Sequence, residues 1–219
     1  MKTRNRRLMK GILSLCLIGG LCAAFPQQSV KAHEIYYDGN TPIVLKWANL
    51  SNGKAYMKMN GDKLQSPYSN YYSTVKNAWP NASSRVQVVQ ASFSASTVDF
   101  ITPTSDAWSD LVGYWRIGEV SGYCRAQTTD GFIVDNMESA KVSNGKISYA
   151  SIYVTPHLDV CDTETYRKKT MIHEIGHALG LGHANRGPYA TNVASVMNQG
   201  KTSYYTPQAH DVNDLIPKY

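Results

Sequence analysis

Three histidines and a glutamate lie within eleven residues of one another, at positions His173, Glu174, His177 and His183. On an α-helix a spacing of four places His173 and His177 on the same face, so both rings can reach one metal ion. Glu174 lies beside them, close enough to act on a metal-bound water without taking a coordination position. Gly180 favours the left-handed conformation that ends a helix, and the turned chain can then bring His183 back to the ion. Three neutral imidazoles plus water leave one open position, which is the catalytic form of zinc coordination.

This string resembles the zinc-binding signature of the metzincin metalloproteases, His-Glu-x-x-His-x-x-Gly-x-x-His. Met197 follows the third histidine by fourteen residues in the string Ala-Ser-Val-Met, which resembles the methionine turn of that family. The resemblance implies a zinc-dependent endopeptidase that hydrolyses peptide bonds of protein substrates through a zinc-bound water activated by Glu174. It further implies that Met197 forms an apolar floor under the metal without being a ligand. The implied zinc ligands are His173, His177 and His183.

Other interpretations of the same residues stay open. A structural zinc site is one, although such sites favour cysteine and leave no open position. A catalytically silent metzincin-fold module that binds proteins is the alternative function, and the presence of Glu174 argues against it. A thermolysin-like peptidase would take a glutamate farther downstream as its third ligand, whereas this chain offers His183 and Met197.

The subfamily is indicated by the C-terminal part of the chain. Only thirty-six residues follow the third histidine, and the compact tail with the segment 205–215 resembles the matrixins. Ala184, directly after the third histidine, matches none of the usual subfamily signatures. Gln199 stands where some metzincins carry a tyrosine that can touch the metal or the oxyanion.

The segment that follows Met197 is predicted to border the substrate. In the metzincins, specificity depends partly on the wall after the methionine turn, so residues 198–207 are expected to border the pocket for the residue after the cleaved bond. Tyr204 and Tyr205 are expected to line the cleft or pack nearby, with a catalytic part as the alternative.

Residues 1–32 are predicted to be a signal peptide, with a basic start, an apolar run at 11–25 and small residues before the expected mature start at His33. The long basic signal is typical of a bacterial source, and the mature chain is expected to be secreted and monomeric, with no membrane span. Six of the 22 basic residues and none of the 16 acidic ones lie in this segment, so the mature chain is balanced. The positive charge expected of a nucleic-acid-binding protein is therefore absent from it.

Cysteine usage agrees with an exported protein. Cys124 and Cys161 are the two cysteines that remain after the predicted cleavage. Two cysteines in an exported chain are expected to form one disulfide, and closing this loop would stabilise the fold by about 4 kcal/mol. The alternative is two unpaired thiols.

The remaining residues 33–219 predict one α+β domain with a mixed twisted sheet and two main helices. By resemblance it is a metzincin-like catalytic domain, with an upper subdomain at 33–182 and a small lower subdomain at 183–219 that contains the methionine turn. Residues 102–145 are turn-rich and give no clear elements. Strands are predicted at 43–47, 86–91, 98–101 and 147–154, a helix from 66–67 to Pro80, and the metal helix from 162–163 to about Leu179.

Two weaker patterns concern further metals. Asp130, Asp135 and Asn136 offer oxygens for a structural calcium ion, with a turn between strands as the alternative. His157 and Asp159 could suggest a second metal, but a loop before the metal helix explains them better.

After the predicted cleavage no cysteine precedes the catalytic core, so the cysteine switch that is typical of many matrixins is missing. Asp38 could block the zinc with its carboxylate, and a simple N-terminal turn is the other interpretation. Any prosegment is expected to be very short.

Overall fold

The computed structural model of the chain describes residues 36–38, 41–43, 45–131, 133–135, 145–186 and 190–219. The predicted signal peptide at 1–32 lies outside these ranges, as does Asn136. Asp38 and Asp135 are described through their backbones alone, so the proposals about latency and calcium at these side chains stay predictions.

The fold is a mixed, curled sheet with few helices. Eight strands form the main sheet, and two more form a separate antiparallel pair near the N-terminal end of the described chain. The strands are β1 (Tyr36–Asp38), β2 (Thr41–Ile43), β3 (Lys46–Trp47), β4 (Leu50–Ser51), β5 (Lys54–Lys63), β6 (Val86–Gln90), β7 (Val98–Ile101), β8 (Gly122–Thr128), β9 (Ile133–Asp135) and β10 (Lys146–Val154). The helices are α1 (Tyr72–Lys76), α2 (Ala78–Ala82), α3 (Ser105–Val112), α4 (Glu164–Ala178) and α5 (Ala209–Asp214).

The main sheet runs in the order β4-β5-β7-β10-β8-β9, with β6 paired to β5 and β3 paired to β10. Parallel pairing joins β5 to β6, β5 to β7, and β10 to both β7 and β3. The pairs β4–β5, β8–β10 and β8–β9 are antiparallel. The helix α4 packs across β8 and β10, so the site that it carries lies beside the antiparallel part of the sheet.

The strands predicted at 86–91, 98–101 and 147–154 are present as β6, β7 and β10. The strand predicted at 43–47 is divided between β2 and β3. The longest strand, β5, was not predicted, because its lysines and its Asn-Gly-Asp segment have low strand propensity. Burial nevertheless alternates along β5, since Ala55, Met57 and Met59 are buried while Lys54 and Lys58 are exposed.

The predicted helix after Ser66-Pro67 is broken into shorter pieces. Tyr68, Val75 and Trp79 of this segment are buried. A 3₁₀ turn and α1 precede Asn77, and α2 then starts again. Pro80 does not end the helix as predicted, because it lies in the first turn of α2, where its missing N–H has no helical partner to lose.

The core lies between the sheet and the helices. Tryptophans supply its largest side chains, and Trp47, Trp79 and Trp108 are all fully buried. The indole Nε1 of Trp79 donates a hydrogen bond to the carbonyl of Ile172 at 2.9 Å, which joins α2 to α4 inside the core. None of the helices in the described ranges has both the length and the apolar character needed to cross a membrane.

The predicted disulfide is wrong, because Cys124 and Cys161 are both free, buried thiols. Cys124 lies in β8, opposite Ile152 of β10. Cys161 lies in the turn before α4, with its Sγ 3.6 Å from the hydroxyl of Thr170. Burial raises the pKa of both thiols. Each cysteine therefore behaves as a small, protonated core side chain.

The last residues of the chain return to the start of the core. The hydroxyl of Tyr219 accepts from the backbone N–H of Trp47 at 2.5 Å and donates to the carbonyl of Leu179 at 2.8 Å. The ammonium of Lys218 donates to the carbonyl of Leu45 at 2.8 Å and is buried. Three distant parts of the sequence are thereby joined next to the end of α4.

We expect Tyr219→Phe to lower the free energy of unfolding by about 1–3 kcal/mol, because it leaves a backbone donor and a backbone acceptor without their shared partner. Chemical denaturation of the purified protein measures this change. Tyr205→Phe is the matched control, since Tyr205 is 50% exposed and its substitution should change stability by less than about 0.5 kcal/mol. Equal stability of the two variants would contradict the role given to the Tyr219 hydroxyl.

Candidate metal centre

The helix α4 carries two of the three histidines. Thr163 caps it, accepting from the backbone N–H of Tyr166 at 3.2 Å, which agrees with the predicted start of the helix at 162–163. Glu164 and Lys168 form an ion pair one turn apart on the solvent side. From Lys169 to Ala178 every residue is buried, so the second half of the helix lies inside the protein.

The helix ends in a turn that needs glycine. Gly180 has φ of +86°, which side-chain-bearing residues rarely adopt. The N–H of Leu181 donates to the carbonyl of Gly176, and that of Gly180 to the carbonyl of His177, both at 2.9 Å, as in a Schellman motif. A Cβ at position 180 would lie only 2.2 Å from the carbonyl oxygen of Leu45. The chain can therefore turn this closely only with glycine.

The turn brings the third histidine to the other two. The ligand atoms of His173, His177 and His183 all lie within 4.8 Å of one another. Their ring centroids are 4.7 to 5.1 Å apart. Within the described ranges, this is the one group of three or more histidine, cysteine or acidic residues that could hold a metal ion.

Backbone carbonyls orient the two histidines of the helix. Nδ1 of His173 is 2.8 Å from the carbonyl oxygen of Val196, and Nδ1 of His177 is 2.7 Å from that of Leu181. A carbonyl can only accept, so Nδ1 is the protonated nitrogen in both rings. The lone pair of each neutral ring is then on Nε2, the nitrogen that faces away from the carbonyl.

The residues present fit a zinc ion. Nε2 of His177 is buried and, among the residues that the structure describes, has no hydrogen-bond partner. Such a buried nitrogen with a lone pair costs free energy unless something binds it. Burial lowers the pKa of His177 to about 4 and that of His183 to about 2, and it lowers the pKa of His173 well below its ordinary value. All three rings are therefore neutral near pH 7 and available as metal ligands.

Met197 lies against the helix between the two histidines that it carries. A Cβ at Gly176 would be 2.3 Å from the sulfur of Met197, so the methionine packs on bare helix backbone. Its neighbour Val196 supplies the carbonyl that accepts from His173. The position of residues 195–197 is thus coupled to the orientation of a candidate ligand.

Asp211 holds this segment and was not found from the sequence. Its carboxylate accepts from the hydroxyl of Ser195, from the N–H of Val196 at 2.9 Å and from the N–H of Gln208 at 2.7 Å. Asp211 is buried, in the first turn of α5. Gln208 and Asp211 form a capping box at the start of α5, whereas no sequence motif indicates the contact with Val196.

A cleft of about 660 Å³ opens beside the histidines. One wall is the buried face of α4, including Glu174, which is 4% exposed. Residues 119–123 form a second wall and Gln199 with Gly200 a third. Tyr204 and Tyr205 are exposed and are not among the residues that line this cleft.

Gly122, at the start of β8, is another site residue that the sequence did not reveal. A Cβ there would lie 2.7 Å from Oε1 of Glu174 and 2.6 Å from Cγ2 of Thr170. The glycine therefore leaves the room that the carboxylate occupies. No motif marks it, because its requirement comes from a helix fifty residues away.

Comparison with known proteins adds little to this description. No protein-family model matches the chain, and no curated protein matches it. Among solved structures it is similar to high choriolytic enzyme 1, a hatching enzyme zinc-protease from the medaka fish Oryzias latipes. That similarity covers 80% of this chain and 95% of the other, with 10% sequence identity and a TM-score of 0.43. A score of this size is too low to assign a family or a function.

The cluster predicts one bound zinc ion per chain. At free zinc one hundred times above the dissociation constant, the free energy of unfolding should rise by about 2.7 kcal/mol. His177→Gln should abolish this gain, whereas His157→Gln, outside the cluster, should keep it. Metal content after dialysis and thermal melting with and without zinc measure both effects. Undiminished zinc content in His177→Gln would contradict the assignment of this ligand.

Proposed function

We propose that the protein is a zinc-dependent endopeptidase that hydrolyses peptide bonds of proteins or peptides. The observation that carries the proposal is the cluster of three neutral histidines, two of them buried, with an unpartnered Nε2 on His177, beside a cleft that Glu174 lines. A bound zinc ion would supply a Lewis acid that polarises the scissile carbonyl and lowers the pKa of a coordinated water.

The chain's own residues supply binding, orientation and proton transfer. His173, His177 and His183 would hold the ion, and the carbonyls of Leu181 and Val196 fix the rings of His177 and His173. In the proposed reaction, Glu174 accepts a proton from the water that attacks the carbonyl carbon. It then delivers this proton to the nitrogen of the departing amine.

Further features of the proposal rest on the sequence patterns. The packing of Met197 on Gly176 supports the proposal that residues 195–197 are a methionine turn of metzincin type. The matrixin-like subtype and the division into upper and lower subdomains at His183 follow from the resemblance. Export from the cell rests on the N-terminal pattern of residues 1–32.

Glu174→Gln should lower kcat for cleavage of casein or of a fluorogenic peptide by about 10² to 10⁴-fold, the usual contribution of general acid–base catalysis. Zinc content should stay the same, since Glu174 is not assigned as a ligand. Phenanthroline should abolish wild-type activity, and added zinc should restore it. Equal rates for wild type and variant would overturn the mechanism, and bound peptide without any cleavage by wild type would favour a silent binding module.

Gly122→Ala should lower kcat by on the order of 10²-fold, because the new methyl group displaces the carboxylate of Glu174 from its place in the cleft. Zinc content and folding, measured by metal analysis and circular dichroism, should be unchanged. Gly118→Ala is the matched control, since a Cβ at Gly118 meets nothing within 4 Å. Full activity of Gly122→Ala would show that Glu174 does not need this space.

A further inference from the structure

A buried lysine lies on the same cleft wall as the histidines. Lys169 precedes His173 by one helical turn, and only 4% of its surface is exposed. Its ammonium donates to the carbonyl of Asn198 at 2.7 Å and to that of Gly200 at 3.1 Å. An ammonium has three N–H donors, so these two carbonyls satisfy two of them.

The direct hydrogen-bond partners of the Lys169 ammonium are two carbonyls and not a carboxylate. Among the residues that the structure describes, no carboxylate forms an ion pair with it. Buried cations are costly and are normally paired with an anion. Burial lowers the pKa of Lys169 to about 8, and the charges of Glu174 and Asp211 oppose the shift. The ammonium lies next to a cleft that it helps to line.

The position of Lys169 suits a residue that flanks the cleaved bond. Lys169 lies four helical positions before His173, a rise of about 6 Å. An extended peptide advances about 3.3 Å per residue, so the side chain next to a carbonyl held near the histidines can span this distance. Gly200, whose carbonyl accepts from Lys169, also lines the cleft and adds no side chain that would fill the space.

Further charged residues line the same cleft. Arg116 and Arg186 line it together with Lys169, against the carboxylates of Glu119 and Glu174. A zinc ion at the histidines would add two further positive charges. The lining therefore favours an anionic group over a cationic one.

We propose, on the basis of the endopeptidase function above, that Lys169 selects substrates with an aspartate or glutamate next to the cleaved bond. The substrate carboxylate accepts a charge-assisted hydrogen bond from the remaining N–H of Lys169 and neutralises a buried cation. The corresponding amide, Asn or Gln, has the same shape and leaves that charge unpaired. Discrimination between acid and amide follows from this difference.

The test uses fluorogenic peptides that differ at one position, with Glu or Gln directly before or directly after the cleaved bond. Wild type should show a kcat/KM at least about tenfold higher for Glu than for Gln at one of these positions, as expected for a buried charged hydrogen bond. Lys169→Met should lower this ratio to about one. Lys168→Met is the matched control, since Lys168 is the adjacent lysine, paired with Glu164 on the solvent side, and it should keep the ratio.

A ratio near one in wild type at both positions, or a preference that persists in Lys169→Met, would overturn the proposal. Lys169 also donates to two backbone carbonyls, so circular dichroism is used to check that Lys169→Met folds. If this variant does not fold, the ratio of kcat/KM for the Glu and Gln peptides in wild type decides the test. Binding of the same peptides to the zinc-loaded Glu174→Gln variant separates this proposal from the enzymatic one. Tenfold tighter binding of the Glu peptide without cleavage by wild type would refute the endopeptidase alone, and cleavage without acid preference would refute the role of Lys169 alone.

Discussion

The hydrogen bonds from Nδ1 of His173 and His177 to backbone carbonyls are the interactions on which the site depends. Each bond leaves the lone pair of a neutral ring on Nε2 and sets the direction in which it points. Both acceptors belong to the chain that follows the helix, at Leu181 and Val196. Contacts made by the chain after α4 hold those two carbonyls in place.

The two carbonyls are held in place by different contacts. The Leu181 carbonyl is fixed by the reversal at Gly180, which passes so close to Leu45 that no side chain fits. The Val196 carbonyl is fixed by Asp211, whose carboxylate bonds the N–H of the same residue. A side-chain cluster that binds a metal is thus organised mainly by backbone geometry, and glycine and a buried aspartate matter as much as the ligands.

The same loop is held from a second side by Lys169. Its ammonium bonds the carbonyls of Asn198 and Gly200, directly after Met197. A leucine there would fill the space without satisfying those carbonyls, and their desolvation would then cost free energy. Lys169 therefore stabilises the loop and also places a positive charge at the cleft.

The sequence predicted those parts of the site that depend on spacing within one helix and its turn. His173, Glu174 and His177 share a local periodicity, and Gly180 marks the helix end, so the proximity of the histidines could be anticipated. Strands rich in valine and isoleucine, such as β6 and β10, were also predictable. Gly122 and Asp211 were missed because their importance comes from contacts with residues far away in the sequence. The disulfide was predicted from cysteine count and compartment, and neither gives the positions of two side chains in the core.

The order of these contacts along the chain has a consequence for biosynthesis. The carbonyl that orients His173 comes 23 residues after it, and the aspartate that holds this carbonyl comes a further 15 residues later. A chain that has been synthesised only as far as α4 contains the helix histidines but neither of these constraints. The orientation of His173 therefore depends on residues that are made after it, and a chain that stops at α4 carries these ligands without the contacts that orient them.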